Sequence, residues 1–367
     1  MTSDSSVSIV LIGCGLPLRS MGWYHLAQIL DGQVPNGQLT HVVEPFYMTE
    51  AAKGAPGYDS FQTWKKTIES EHGVVFHSTV ASVPALNLNE VRLTLLSART
   101  SDNPALFHSC VGKTSAIFLE KPGAPSVSEL EAMQQAAQRA NVPVYMGFNK
   151  NVSSYLVRAR AFAQATPSPC DITFVHNNNY AGAADLPECF ERNAEGMLKN
   201  MAIHELALLV TYYGIKVDSI ATVEADTAYS SCQTLTGPSS GQSFTDFDKL
   251  KFKVVTKTGA QVHVAADRCG GDDSVAIVTD ATTGKELARY TMPDEETVAN
   301  IPKLKEKHGD AMPYFFAQDP DYLQLKKLVV SHMVNGTPLG GVATIEVAVE
   351  TLKVAEYLTP ILLEQLK

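Results

Sequence analysis

Residues 7–22 read VSIVLIGCGLPLRSMG, and this stretch decides the fold. The run Val7 to Ile12 is short and nearly continuously apolar, which predicts a strand buried on both faces of a parallel sheet. It runs directly into Gly13-Cys14-Gly15, with Gly22 further on. Glycines placed so allow a tight turn and let the backbone approach a pyrophosphate, while the helix that follows supplies free amides and positive partial charge. A strict G-x-G-x-x-G fails because position 18 is Leu. With Gly22 as the third glycine, four residues are inserted. The insertion includes Arg19, which can reach a cofactor phosphate or a substrate anion.

Further apolar runs follow at Leu39 to Val43, Val74 to Phe76, Val91 to Leu96, Ala116 to Leu119 and Val144 to Met146. Helix-like segments separate them. The clearest opens at Ser126, where Ser-Val-Ser-Glu predicts a capping box in which Ser126 and Glu129 satisfy end amides reciprocally. Strand and helix in alternation predict a doubly wound α/β domain over residues 1–148. The second strand ends at Glu44. A carboxylate there accepts hydrogen bonds from the ribose of the adenosine half and repels a 2′-phosphate. No Arg or Lys follows closely, so NAD is favoured over NADP. The fifth strand ends in Glu120-Lys121-Pro122. A lysine at that position puts an ammonium where open α/β sheets bind ligands, and it can hold or move a substrate proton.

Past Asn149 the pattern changes. Helix-like segments cover roughly 152–164 and 195–213. Strand-like stretches follow at Asp171 to Val175, Ser219 to Ala225, Lys251 to Thr256, Gln261 to Ala266 and Val275 to Val278. Close-set strands with Thr-Gly turns predict a mostly antiparallel sheet, and Val342 to Leu366 reads as one or two helices. Residues 149–367 are therefore expected to form an α+β domain with a broad open sheet, suited to substrate binding and oligomer contacts.

The chain has 367 residues, 45% hydrophobic and 19% charged, enough for a sizeable core. Its 29 basic and 39 acidic residues give 29 − 39 = −10. That balance disfavours nucleic acid and anionic membranes as partners. No apolar run reaches the roughly 20 residues of a membrane helix. The polar start MTSDSSVS lacks the features of a secretory signal. The six cysteines are scattered without a C-x-x-C pair. This predicts no metal site and a reducing, cytoplasmic setting.

The ordered set of features is more specific than any one of them. Strand–Gly-Cys-Gly–helix, Glu44-Pro45, Glu120-Lys121-Pro122 and Gly147-Phe148-Asn149 occur in sequence, and the helix opens Gly22-Trp23-Tyr24-His25. Together they resemble the Gfo/Idh/MocA oxidoreductases, the glucose–fructose oxidoreductase and inositol dehydrogenase family. The resemblance is sharpest over residues 7–150. It implies NAD or NADP held by Gly13, Gly15, Arg19, Gly22, Glu44, Glu120, Lys121 and Pro122. It also implies a catalytic Asp-x-x-x-His, matched here by Asn200 and His204. At four residues apart the two share a helix face, so Asn200 is expected to orient His204. An amide cannot hold a charge against an imidazolium, so His204 is expected to be less basic than an Asp-paired histidine. Glu205 points about 100° around the helix and is not expected to substitute.

These features predict hydride transfer between a nicotinamide and a hydroxyl or carbonyl of a small polar substrate such as a sugar or polyol. Lys121 and His204 would flank the reacting C–O group. Lys150, Asn179, Tyr180 and Lys199 are the substrate-contact candidates, and Arg19, Lys121, Lys150 and Lys199 are expected to gather around one crevice. The resemblance implies a homo-dimer or higher homo-oligomer. Two alternatives stand beside this reading. One is an imine reductase of the same fold. The other is a non-catalytic dinucleotide-binding sensor, against which the retention of both Lys121 and His204 argues.

Overall fold

The computed structural model describes residues 6–367. The polar start read above lies mostly outside these, at residues 1–5. The described chain divides into two compact units. The first comprises the residues through Asn149 together with Ala299–Ala348, and the second comprises Lys150–Val298 and Val349–Lys367.

In the first unit six strands form one sheet: β1 (Val7–Ile12), β2 (Gly37–Val43), β3 (Val75–His77), β4 (Val91–Leu96), β5 (Ala116–Leu119) and β6 (Val144–Met146). All neighbours pair in parallel, in the order β3-β2-β1-β4-β5-β6. The six predicted runs are these six strands. β5 is buried at every position, as its uninterrupted apolar run requires. Helices α1 (Met21–Leu30), α2 (Tyr58–His72), α3 (Asn103–Cys110) and α4 (Val127–Ala140) alternate with the strands. The order reverses between β1 and β4, so the loop after β1 opens at the switch point where such sheets bind ligands. The cap of α4 differs in one detail from the expected box. The Ser126 hydroxyl accepts from the Glu129 amide at 3.3 Å, but the Glu129 carboxylate accepts a hydrogen bond from that hydroxyl, at 2.6 Å, rather than from a backbone amide.

The second unit begins with α5 (Ser154–Ala165), β7 (Cys170–Asn177), α6 (Leu186–Arg192), α7 (Met197–Asn200) and α8 (Ile203–Tyr213). Strands β8 (Ile220–Ala225), β9 (Ser231–Thr236), β10 (Ser243–Thr256), β11 (Gln261–Asp267), β12 (Ser274–Asp280) and β13 (Glu286–Met292) follow. With β7 they form a seven-stranded sheet in the order β13-β12-β7-β11-β10-β8, and β9 pairs with β10. Only the β7–β11 pairing is parallel.

Four helices close the chain: α9 (Glu295–His308), α10 (Pro313–Ala317), α11 (Asp319–Asn335) and α12 (Ile345–Gln365). The chain returns to the first unit along α9 and leaves it along α12. The first unit is thus discontinuous in sequence. The cause is apolar packing. Leu304, Ala311, Phe315 and Phe316 bury against Trp23, Tyr24 and Ala27 of α1. Tyr24 and Phe315 stack with ring centroids 4.8 Å apart. The segment from α9 to α11 escaped the sequence reading because α9 carries an internal Pro302 and α10 is only 5 residues long. No helix of the described residues is long and apolar enough to cross a membrane.

Candidate active site

The glycine loop is built by close approach. Gly13 has φ +82°, and a Cβ there would sit 2.7 Å from the Ala98 backbone just past β4. A Cβ on Gly22 would lie 2.0 Å from the Gly13 carbonyl oxygen, so only glycine lets α1 start against the loop. The inserted residues fold on themselves. Ser20 N–H donates to Leu16 O at 3.1 Å, and the Ser20 hydroxyl accepts from the Leu16 amide at 3.0 Å. The Ser20 side chain therefore leaves the N-terminus of α1 uncapped, and no acidic residue occupies its first turn. An uncapped helix start beside a glycine cradle fits a pyrophosphate. Arg19 extends to Met312, its guanidinium 3.6 Å from the sulfur, and Met312 N–H donates to Leu18 O at 3.1 Å.

Glu44 stands just past β2, as the sequence reading expects, but its carboxylate is engaged by the protein's own amides. It is buried, and one carboxylate oxygen accepts from the Gly15 amide at 2.8 Å. The other accepts from the Phe46 and Tyr47 amides at 3.1 and 3.4 Å. The glutamate thus braces the glycine loop and presents an oxyanion to one of the loop's own amides. Burial, together with Glu44, raises the Cys14 thiol well above its usual range, so Cys14 is an inert neutral donor here.

Glu120 is likewise buried and turned inward. One oxygen lies 2.8 Å from His25 Nε2 and the other accepts from the Lys121 amide at 3.3 Å. A Cβ on Gly147 would sit 2.6 Å from Glu120 Oε1, so glycine at the head of Gly-Phe-Asn makes room for the carboxylate. The Lys121–Pro122 peptide is cis.

In the second unit the organising group is Glu205, the residue set aside on angular grounds. It is completely buried on α8. Its carboxylate meets Lys150 Nζ at 2.6 Å and His176 Nδ1 at 3.0 Å. The His176 and His204 rings lie 6.2 Å apart, nearly edge to face. Burial alone would raise the Glu205 carboxyl, but Lys150, His176 and His204 together hold it well below the usual range. His176 and Glu205 were missed because the cluster is assembled from β7, α8 and the turn after β6. No local spacing records that meeting. The run of three asparagines after His176 was a usable signal only for a polar strand end.

Asn200 is the last residue of α7, and the helix expected over 195–213 breaks at Met201–Ala202 before His204. Counting four residues along one helix therefore no longer places Asn200. The other substrate candidates are engaged separately. Lys199 Nζ lies 2.8 Å from Glu356 on α12. The Tyr180 phenol oxygen accepts from Arg192 at 3.1 Å, and Asn179 bridges to Cys269. Of that set, Lys150 alone joins the cluster that contains His204. Among the described residues no group of three His, Cys, Asp or Glu side chains is arranged to hold a metal ion.

No protein-family model matches the chain, and no curated protein matches it in sequence. Solved structures do match over nearly the whole length. A probable dehydrogenase from Thermotoga maritima is 16% identical, with a TM-score of 0.68 and 98% of each chain covered. Scyllo-inositol dehydrogenase from Lactobacillus casei, solved with NAD(H) and scyllo-inositol, is 15% identical at TM-score 0.64, covering 98% of this chain and 96% of that one. An oxidoreductase from Agrobacterium radiobacter, solved with NAD+, L-tartaric acid and magnesium, is 11% identical at TM-score 0.65, covering 98% and 96%. The chain therefore has the two-part fold of these proteins: a parallel, doubly wound sheet and a mixed, mostly antiparallel one.

Proposed function

We propose that this protein is an NAD-dependent oxidoreductase of the Gfo/Idh/MocA type, moving a hydride between the nicotinamide and a hydroxyl-bearing carbon of a small polyol or hydroxy acid. The observation that carries the reading is the Glu205 cluster, in which a buried carboxylate gathers Lys150 and His176 beside His204. It occurs in a chain whose other unit supplies a glycine cradle and an uncapped helix start. The shared fold and the hydroxylated ligands of the similar proteins support the same reading.

The cofactor, when bound, supplies the hydride acceptor or donor, and the protein's residues do the rest. Gly13, Gly15 and the start of α1 hold the pyrophosphate, with Arg19 close by and Gly22 keeping the helix against the loop. Glu44 favours NAD, because its carboxylate would repel a 2′-phosphate. Glu120 and Pro122 frame Lys121, whose ammonium donates to the substrate oxygen. His204 takes the hydroxyl proton as the hydride leaves. The Glu205 carboxylate stabilises the imidazolium so formed, the task that Asn200 cannot perform. Asn200, Lys150, Asn179, Tyr180 and Lys199 remain proposed orienting or substrate-side groups. We also propose a cytoplasmic homo-dimer or higher homo-oligomer.

A screen of polyols, sugars and hydroxy acids with NAD+ and NADP+, followed by nicotinamide absorbance, tests this. Turnover with NAD+ on a hydroxylated substrate is expected. His204→Ala and Lys121→Ala should each cost on the order of 10²- to 10⁴-fold in kcat. Unchanged turnover in either variant removes that residue from the mechanism. Cofactor binding without turnover on the whole panel favours a sensor.

A further inference from the structure

Behind Glu120, which frames Lys121, lie two buried ionisable groups, His25 and Lys326, that the proposed chemistry does not use. Lys326 on α11, 1% exposed, places Nζ 2.9 Å from His25 Nδ1 and donates to the Tyr322 carbonyl at 2.9 Å. His25 is fully buried on α1, and its Nε2 is 2.8 Å from Glu120. The other Glu120 oxygen accepts from the Lys121 amide. An ammonium has only donors, so His25 Nδ1 must accept and Nε2–H must donate to the carboxylate. Phe118 and Tyr322 meet the imidazole ring edge to face and fix its plane. Donation runs from the ammonium through the neutral imidazole to the carboxylate, which also accepts from the Lys121 backbone amide.

We propose that Lys326, His25 and Glu120 form a buried positioning relay that holds Lys121 in place as the donor to the substrate oxygen, with Lys326 as its remote end. This rests on the oxidoreductase reading above. Burial pulls the Lys326 ammonium down to about 7, with Glu120 and Asp319 opposing that fall. Burial and the Lys326 charge together push His25 down to about 4, so the ring stays neutral while Lys326 titrates. The other titratable groups facing the line are Tyr24 on α1, Tyr314 on α10, and Asp319, Asp321 and Tyr322 on α11. Tyr24 and Tyr322 are both raised by burial above the ordinary phenol range. Of His25 and Lys326, Lys326 is the one that changes charge near neutrality. Above that point Glu120 loses its compensating cation, and the grip on Lys121 changes with it.

The test uses the whole protein with 15N-labelled histidine imidazoles, titrated from about pH 5 to 9 across the ordinary histidine range. The His25 Nδ1 resonance should mark a neutral Nε2–H tautomer and move with the Lys326 midpoint. Lys326→Met should abolish that movement. Lys326→Arg, which keeps its charge throughout, should hold the low-pH signal. An imidazolium signature at His25, or a movement that survives Lys326→Met, overturns the relay. The kinetic arm compares kcat of Lys326→Arg with the unaltered enzyme. Their ratio should depart from its low-pH value by about tenfold one unit above the midpoint, as one pKa unit corresponds to tenfold. A ratio flat across that range overturns the link to Lys121, even with the NMR signature present. A protein with no turnover on any substrate fails the oxidoreductase reading, while the NMR arm still decides the relay.

Discussion

Glu205 shows what a single side chain can organise once it is fully buried. An isolated buried carboxylate is costly, and here Lys150 and His176 compensate it. Removing the charge while leaving the shape strands a buried lysine, which typically costs about 3–5 kcal/mol. Glu205→Gln is therefore expected to lower the urea midpoint strongly at pH 7. The sign of its pH dependence follows from linkage. The carboxyl is depressed in the folded state, so its contribution is complete above the unfolded value of 4.5 and is lost as pH falls below it. The gap between the unaltered protein and Glu205→Gln should narrow on acidification, as denaturation at stepped pH would show. Lys326 is the opposite case. Its folded value of about 7 lies below the unfolded 10.5, so between these the unfolded chain binds more protons and stability rises with pH. Relative to Lys326→Met, the unaltered protein should gain stability from pH 7 to 10. An unchanging difference would show that Lys326 is not desolvated. His204 is singled out in the sequence by the family resemblance. Glu205 is not, because judging it by its angle on one helix ignores neighbours that arrive from β7 and the turn after β6.

The loop between β1 and α1 is the element on which the proposed cofactor binding depends. Its glycines were legible because close approach leaves no room for a Cβ at Gly13 or Gly22. Gly22→Ala would force a methyl to within 2.0 Å of the Gly13 carbonyl, which is backbone and cannot swing away. Overpacking of this kind costs about 1–3 kcal/mol. The variant should also lose most of its NAD affinity, read by calorimetry. Retained affinity would show that the cradle does not hold the pyrophosphate. Glu44 is legible in position but not in use. A strand-end carboxylate suggests a ribose partner, yet its oxygens already accept from loop amides. Glu44→Gln should therefore weaken NAD binding and lower the stability of the first unit together. A shift in cofactor preference alone, with stability unchanged, would restore the simpler ribose role. The break between α7 and α8 is a further lesson at this scale, since helix periodicity cannot register a two-residue interruption.

At the scale of the whole molecule, the first unit is completed by residues from late in the chain. Trp23 and Tyr24 bury against Phe315 and Phe316, and Tyr24 and Gln28 both donate to Asp319. A fragment ending at Asn149 would expose these rings and strand the Lys326 partners, so it should show no cooperative unfolding transition. Phe315→Ala in the full chain should cost about 3–5 kcal/mol, as for other buried aromatic truncations. A fragment that melts cooperatively would mean the added helices only decorate the sheet. The amino-acid sequence by itself determined the succession of elements along the chain: six buried runs, the glycine loop, Glu120-Lys121-Pro122 and the later, mostly antiparallel strands. These are local signals, carried by periodicity, glycine sterics and short-range capping. Only the tertiary structure decided which distant charges share a buried environment: Lys326 with His25, Lys150 and His176 with Glu205, and Glu44 with the Gly15 amide. Burial makes such contacts strong by excluding water, and the packing that excludes water joins residues up to 301 positions apart.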